Sequence, residues 1–455
     1  MSGDKTRLTD RSSVSAAEII LVISVFIICI IGAVFLPIPP CPDERARRLL
    51  TDWMFNTGTL PTGNELETVI MPHGFSYALR PFLSAIIGVV FMKLTSLFTD
   101  SETALIVASR MCSVLSVTVC SVFCLKIGKR LFKNRSSALV LAASVCFLPQ
   151  VLFLGMYQNN DSLSLAAVCI TVYFFVRGSG DHWSWGSTAG FAFGLGLALM
   201  SYYTIYGWVL AGALFFTFSV FKDKEIPRKV SFFAKRAAMI GGICFAFAGW
   251  FFIRNAFLHH GDFLGIAAEK DMREYLRAHG VRLYDYVIPQ AQGKTLIGML
   301  TEDKAYFIKL TLFSFIAVFG MMDILVPKML YKVYIIIAFF GAVLFVIFAL
   351  LRGLDSIHKQ VLLFMTVSVA INISLHVIHS YTRDYQPQGR YIISMALLMG
   401  YVFAYSSDQL QTLSEDKLTF IKSRSFFRIV QPQYAFIFIW LVLCACALTS
   451  LQYMI

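Results

Sequence analysis

The sequence predicts an all-α fold: a polytopic transmembrane helical bundle of about eleven spans with external juxtamembrane helices. Two observations carry this prediction. Of the 455 residues, 57% are apolar and only 15% are charged, against roughly 25% charged in a soluble domain. Long apolar runs recur along the whole chain, at 19–36, 137–154, 333–351 and 436–448 among others, several of them able to cover about 30 Å of hydrocarbon. Together they exclude a soluble globular domain. The whole chain, 1–455, reads as a single integral membrane domain.

A net charge of +12 raises the alternative of nucleic-acid binding. The basic residues, however, sit in short clusters between apolar runs, without aromatic interleaving or a binding motif. Positive-inside topology explains them instead. The strongly basic loops 126–135, 222–236 and 417–428 are placed in the cytoplasm, with the weaker loop 352–359. The N-terminus joins them, because Lys5, Arg7 and Arg11 precede an apolar run that no small-residue cleavage pattern closes.

This assignment requires that the apolar stretches 81–92 and 310–322 do not cross. Arg80 and Lys93 bound the first, Lys309 and Asp323 the second. About a dozen apolar residues suit an interfacial or re-entrant helix better than a span. The spans then fall at 17–37, 103–125, 136–155, 161–177, 186–200, 204–221, 236–253, 331–351, 360–378, 389–406 and 433–451, with the C-terminus outside. Polar chain collects outside in a first loop, 38–102, expected to carry juxtamembrane helices. A large second loop, 254–330, and the turns 157–161 and 379–390 join it. Most of the ten cysteines lie in or beside apolar runs, without disulfide or zinc spacing.

Candidate chemistry lies in those external segments. Asp43 and Glu44 follow the first span on backbone that four nearby prolines keep from becoming helix. They read either as solvated surface carboxylates or as a catalytic pair. Arg45, Arg47 and Arg48 behind them are snorkelling residues or phosphate ligands. Asn159, Asn160 and Asp161 open a span, where turn and cap roles compete with a binding role. Arg254 stands at a span end. Gln386, Gln388 and Arg390 start another span, and Arg110 lies several residues inside the second, where an arginine demands an anionic partner. Gathered at one external face, these groups suit an anionic lipid phosphate held by arginines, with a carboxylate as general base toward an acceptor hydroxyl.

In this ordered set the sequence resembles the GT-C superfamily of membrane glycosyltransferases, in particular bacterial aminoarabinose and protein mannosyl transferases. The resemblance runs through Pro42, Asp43 and Glu44; Gly58 to Pro61; Gly74 to Tyr77, leading to Pro81; Arg110 with Gly128 to Phe132; Asn159 to Asp161; Arg254 and Asn255 with Gly261 and Asp262; and Gln388 to Tyr391. It implies Asp43, or Glu44, as catalytic base. It implies substrate binding by Arg47, Tyr77, Arg110, Asn160, Asp161, Arg254, Asn255, Gln388, Arg390 and Tyr391. Arg390 and Arg254 are the expected phosphate ligands. Metal-dependent relatives carry a second acidic motif where this chain offers only Asp161. No metal ligand set is therefore named and no cofactor follows, with a divalent ion (Mg²⁺ or Mn²⁺) left as the alternative.

The resulting expectation is an inverting glycosyltransferase that moves sugar from a polyprenyl-phosphate carrier to a glycan or lipid-linked acceptor of the cell envelope. The resemblance further implies a bacterial plasma membrane and an extracytoplasmic site. Two other readings stand beside it. A lipid-linked substrate transporter or flippase also needs a cationic cavity, but no internal repeat is visible. A non-catalytic assembly scaffold predicts that Asp43 and Glu44 are replaceable.

Overall fold

Apolar runs become helices because hydrocarbon offers no partner for free backbone groups. The computed structural model describes residues 13–37, 41–420 and 432–454, and α-helices carry most of them. Lys5, Arg7, Arg11, Pro39, Pro40 and most of the basic loop 417–428 lie outside the described residues. The first helix, α1 (Ala16–Phe35), opens with a reciprocal cap in which Ser15 Oγ accepts from the Glu18 N–H and the Glu18 carboxylate from the Ser15 N–H. Then come α2 (Glu44–Thr57), the two-residue strands β1 (Val69–Ile70) and β2 (Phe75–Ser76), paired antiparallel, and α3 (Leu83–Ser96).

A long helix, α4 (Glu102–Leu131), leads to α5 (Arg135–Cys146) and α6 (Pro149–Met156). These two meet at a 62° bend, placed by Pro149, which supplies no N–H and disfavours helix in the residue before it. Next are α7 (Asp161–Gly180), α8 (Trp185–Ser201), α9 (Tyr206–Lys222) and α10 (Lys229–Cys244), which runs through a π-helical turn into α11 (Trp250–Leu258). The remainder is α12 (Ile266–Ala278), α13 (Leu296–Ile316, kinked at 302–305), the hairpin β3 (Val318–Phe319) and β4 (Ile324–Leu325), α14 (Lys328–Arg352), α15 (Ser356–Thr382), α16 (Met395–Phe420) and α17 (Pro432–Leu448).

Among the described residues eight helices are long and apolar enough to cross a membrane, nine if the bent α5–α6 pair is one span. Two of the eleven expected spans fall outside that count. One is α8, with 17 residues. The other, expected from 389, begins only at Met395 and runs into Ser406, Ser407 and Asp408; before it Gly389–Ile392 forms a 3₁₀ turn.

The basic segments gather at one end of the bundle. Glu18 there pairs with Lys129 at 2.6 Å and Arg135 at 2.7 Å. The Asn134 N–H donates to Asp408 at 2.8 Å, the Phe132 and His358 rings lie 5.7 Å apart, and His182 meets Asp223 at 2.7 Å. At the opposite end the first loop interlocks with the second. Arg80 pairs with Glu269, the Tyr284 N–H donates to the Pro72 carbonyl at 2.8 Å, and Leu50, Met54, Phe82 and Ala85 pack on Ala248 and Phe251. This anchors α2 and α3 over the bundle. The stretch 81–92 runs along the first turns of α4, where Gly88 lies so close that a Cβ on it would stand 2.9 Å from the Ser109 carbonyl oxygen. The stretch 310–322 ends in the β3–β4 hairpin, held where the Val318 N–H donates to Gln150 Oε1 at 2.9 Å.

A candidate active site at the loop-covered end

Glu44 and Arg110 build the floor of the site. Both are buried, and Glu44 accepts from Arg110 Nε at 2.7 Å, from Arg110 Nη2 at 2.9 Å and from the Gln158 N–H at 2.9 Å. Arg110 Nη1 donates to the Ala33 and Leu36 carbonyls at 2.7 and 2.8 Å, the helix end of α1 whose acceptors otherwise lack partners. One ion pair therefore ties α1, α2, α4 and the 157–161 turn together. Asp43, the preceding residue, stands at φ 62 in the left-handed region. A non-glycine residue there costs about 1–3 kcal/mol and persists only where its surroundings over-determine it.

That conformation turns Asp43 away from Glu44 and toward Arg390. Asp43 Oδ2 accepts from Arg390 Nη2 at 2.6 Å, and about a third (33%) of the Asp43 side chain remains exposed at the cleft. Burial pushes its pKa up, but the nearby charges of Arg390 and Arg47 outweigh this and hold the carboxyl below the ordinary aspartate value. Arg390 is aimed by its neighbours: Nε donates to Gln388 Oε1 at 2.6 Å and Nη2 to the Tyr391 hydroxyl at 3.1 Å. Nη1 lies 4.0 Å from Asp161 Oδ2, too far for a hydrogen bond.

Arg47 sits on the other side, its guanidinium 4.4 Å from the Tyr77 ring centre and 5.5 Å from that of Tyr202. It is 4% exposed, has no ion pair among the described residues, and its Nε and Nη2 have no hydrogen-bond partner. Both carboxylate oxygens of buried Asp161, the Tyr157 hydroxyl and the Gln158 amide are likewise unpartnered. Buried polar atoms left open in such number mark a place for a ligand or ordered water. Asn160 is a fastener: it accepts from Ser84 Oγ and donates to the Pro81 carbonyl at 3.3 Å. Asn159 caps α7 by accepting from the Ser162 N–H at 2.9 Å.

Asp43, Arg47, Tyr77, Asp161, Arg390 and Tyr391 thus share one cleft. Arg254 and Asn255 are placed elsewhere: Arg254 Nη2 donates to the Leu60 and Pro61 carbonyls, each at 2.9 Å, and Asn255 to the Leu79 carbonyl at 3.5 Å. They hold the first loop. Tyr157, Gln158 and Tyr202 went unnoticed in the sequence. The expected alternation of spans assigns the 201–203 turn to the external side, but an uncharged three-residue turn draws no attention.

The Arg390 guanidinium occupies the space between Asp43 and Asp161, and among the described residues no group of three or more His, Cys, Asp or Glu could ligate a metal.

Gly389 sets the position of Arg390. Its N–H donates to Ser314 Oγ at 2.6 Å, and a Cβ on it would fall 2.1 Å from the Phe315 nitrogen and 2.3 Å from the Thr311 carbonyl oxygen. Backbone atoms of α13 cannot yield as a flexible side chain would. Gly389→Ala is therefore expected to move Arg390 off Asp43 and to lower the thermal unfolding midpoint by several degrees, the overpacking cost being about 1–3 kcal/mol. A variant as stable as the parent protein would show that α13 is not packed on this turn.

Fold and site together define a multi-pass membrane protein whose loop-covered end holds an acid–arginine cleft. Comparison with known proteins narrows this. Residues 81–252, well under half of the chain, match the family described as dolichyl-phosphate-mannose-protein mannosyltransferase. No curated protein matches. Among solved structures, ArnT from Cupriavidus metallidurans bound to undecaprenyl phosphate is similar with a TM-score of 0.54 at 12% identity, over 96% of this chain and 74% of that one. The oligosaccharyltransferase AglB from Archaeoglobus fulgidus, in complex with an inhibitory peptide and a dolichol-phosphate, is similar with a TM-score of 0.52 at 12% identity, over 96% and 56%. The chain thus spans little more than half the length of AglB. It shares the fold of these two solved structures.

Proposed function

We propose that the protein is an inverting glycosyltransferase that moves a sugar from a polyprenyl-phosphate carrier to a hydroxyl of a cell-envelope acceptor. The reaction takes place on the extracytoplasmic side, with the basic end of the bundle in the cytoplasm of a bacterial cell. The chain acts as one membrane domain whose loops 38–102 and 254–330 receive the acceptor. The observation that carries this reading is Arg47: a buried guanidinium with open donors and no ion pair among the described residues, near the Asp43 carboxylate. A buried charge of this kind requires an anion, and a lipid-linked phosphate supplies one. The carriers bound to ArnT and AglB support the choice.

In the reaction the Asp43 carboxylate takes the proton of the acceptor hydroxyl. The acceptor oxygen bonds to the anomeric carbon, and the bond from that carbon to the phosphate oxygen breaks, its electron pair leaving with the carrier. The phosphate passes from one negative charge to two. Arg47 and Arg390 face that growing charge, which is where fixed donors lower a barrier most. Glu44 and Arg110 hold the floor and take no part in proton transfer.

The test is incubation of purified protein with a panel of radiolabelled polyprenyl-phosphate sugars and envelope glycans or lipids as acceptors. Transfer by the parent protein is expected. Carrier binding without transfer from any donor would favour a transporter.

Because the basic form of Asp43 is the charged one and its pKa is held low, kcat/KM should be flat from about pH 8 to about pH 5, falling only at lower pH. Arg390→Gln removes the nearest cation while burial remains. Its acid limb should therefore move to higher pH, beside a general loss of rate. An unmoved limb would separate Arg390 from the base.

A further inference from the structure

Between α2, α3 and the 157–161 turn lies a crevice lined by Arg47, Leu50, Tyr77, Phe82, Asn160 and Gln158. Its empty volume is about 230 Å³, counting the open mouth. Its enclosed part has room for about one water-sized group, so it admits a single small polar group of a larger molecule. One polar wall is already satisfied, Asn160 by Ser84 and the Pro81 carbonyl. Gln158 is not. It is 1% exposed, and neither its amide oxygen nor its amide nitrogen has a partner. Its backbone N–H is fastened to Glu44 at 2.9 Å, so the side chain is presented from a fixed point.

From this placement we infer that Gln158 is a specificity-determining residue that reads a ring hydroxyl of the transferred sugar, next to the phosphate held by Arg47. The inference rests on the function proposed above. A primary amide offers one acceptor and an –NH₂ donor. A hydroxyl answers both, accepting from Nε2 and donating to Oε1, whereas a phosphate oxygen, a bare acceptor, leaves Oε1 empty. Arg47 divides the work: Nε and Nη2, both open, form the side-on edge of the guanidinium that suits two oxyanion oxygens. Leu50 and Phe82 close the remaining walls against water. A buried amide that its ligand leaves unpaired penalises binding, so donors lacking the hydroxyl are rejected.

The experiment compares Gln158→Leu and Gln158→Glu with the parent protein. The donors are polyprenyl-phosphate sugars in matched pairs, each pair differing by one ring hydroxyl replaced with hydrogen. Binding of polyprenyl phosphate alone, which carries no sugar, is measured alongside. For one pair the parent protein is expected to favour the hydroxylated donor by about 100-fold or more in kcat/KM. Gln158→Leu should reduce that ratio to within about threefold while the affinity for polyprenyl phosphate is kept. A ratio that stays at the parental value in the variant overturns the inference, as does a parent protein that transfers sugar yet ignores every hydroxyl. If Gln158→Leu does not fold, Gln158→Glu, which keeps the shape and loses the –NH₂ donor, decides by the same ratio. A parent protein that transfers no sugar from any donor overturns the proposed function itself, a result distinct from transfer with unchanged selectivity.

Discussion

Asp43→Asn is expected to lower sugar transfer by about 10²–10⁴-fold, the range a positioned general base contributes, while binding of polyprenyl phosphate is retained. Asparagine keeps the size of the side chain and can still accept from Arg390, whose Nη2 lies 2.6 Å from Asp43 Oδ2, but it cannot take a proton. The left-handed backbone at this position also tolerates asparagine well. Loss of rate without loss of stability is therefore the signature. A single-turnover assay with a saturating labelled donor, run beside a thermal melt, separates the two. Were Asp43→Asn to transfer at the parental rate, the base would have to be sought at Asp161, the remaining carboxylate that faces Arg390.

Arg110→Met should do the opposite and damage the fold first. Among the described residues it leaves the Glu44 carboxylate, 0% exposed, with one donor, the Gln158 N–H, and it frees the Ala33 and Leu36 carbonyls. Breaking a buried ion pair from one side costs about 3–5 kcal/mol, because an uncompensated charge stays behind. The melting midpoint in detergent should fall sharply. Adding Glu44→Gln to Arg110→Met should recover part of it, since the two residues form one unit whose effects do not add. A single variant that melts with the parent protein would show that the pair does not hold α1, α2 and α4 together.

These two predictions assign different work to adjacent residues, a division invisible in the sequence. Asp43 and Glu44 share a segment, a charge and a distance from the first span. They are separated by their partners: Arg110, 66 positions beyond Glu44, captures one carboxylate, and Arg390, 347 positions beyond Asp43, holds the other. The arginines behave alike. Arg254 and Arg47 both follow apolar helix on the external side by pattern, yet packing of the first loop engages Arg254 Nη2 on the Leu60 and Pro61 carbonyls and leaves Nε and Nη2 of Arg47 open. Tyr202 entered the site because α8 ends beside Arg47, and nothing in an uncharged turn announces that.

By itself the sequence determined the solvent, the helical class and the position of most of the long apolar helices. Each follows from local quantities: the length of an apolar run against the thickness of a bilayer, and the cost of a charge within it. The expected boundary departed at α16, which opens at Met395, while α8 lies where expected but has only 17 residues. Only the tertiary structure decided which carboxylate is clamped and which faces the cleft, which arginine keeps free donors, and that Gln158 is left unpaired. The physical reason is that a buried charge takes whichever partner packing brings within about 3 Å, and in this bundle those partners come from helices far apart in the chain.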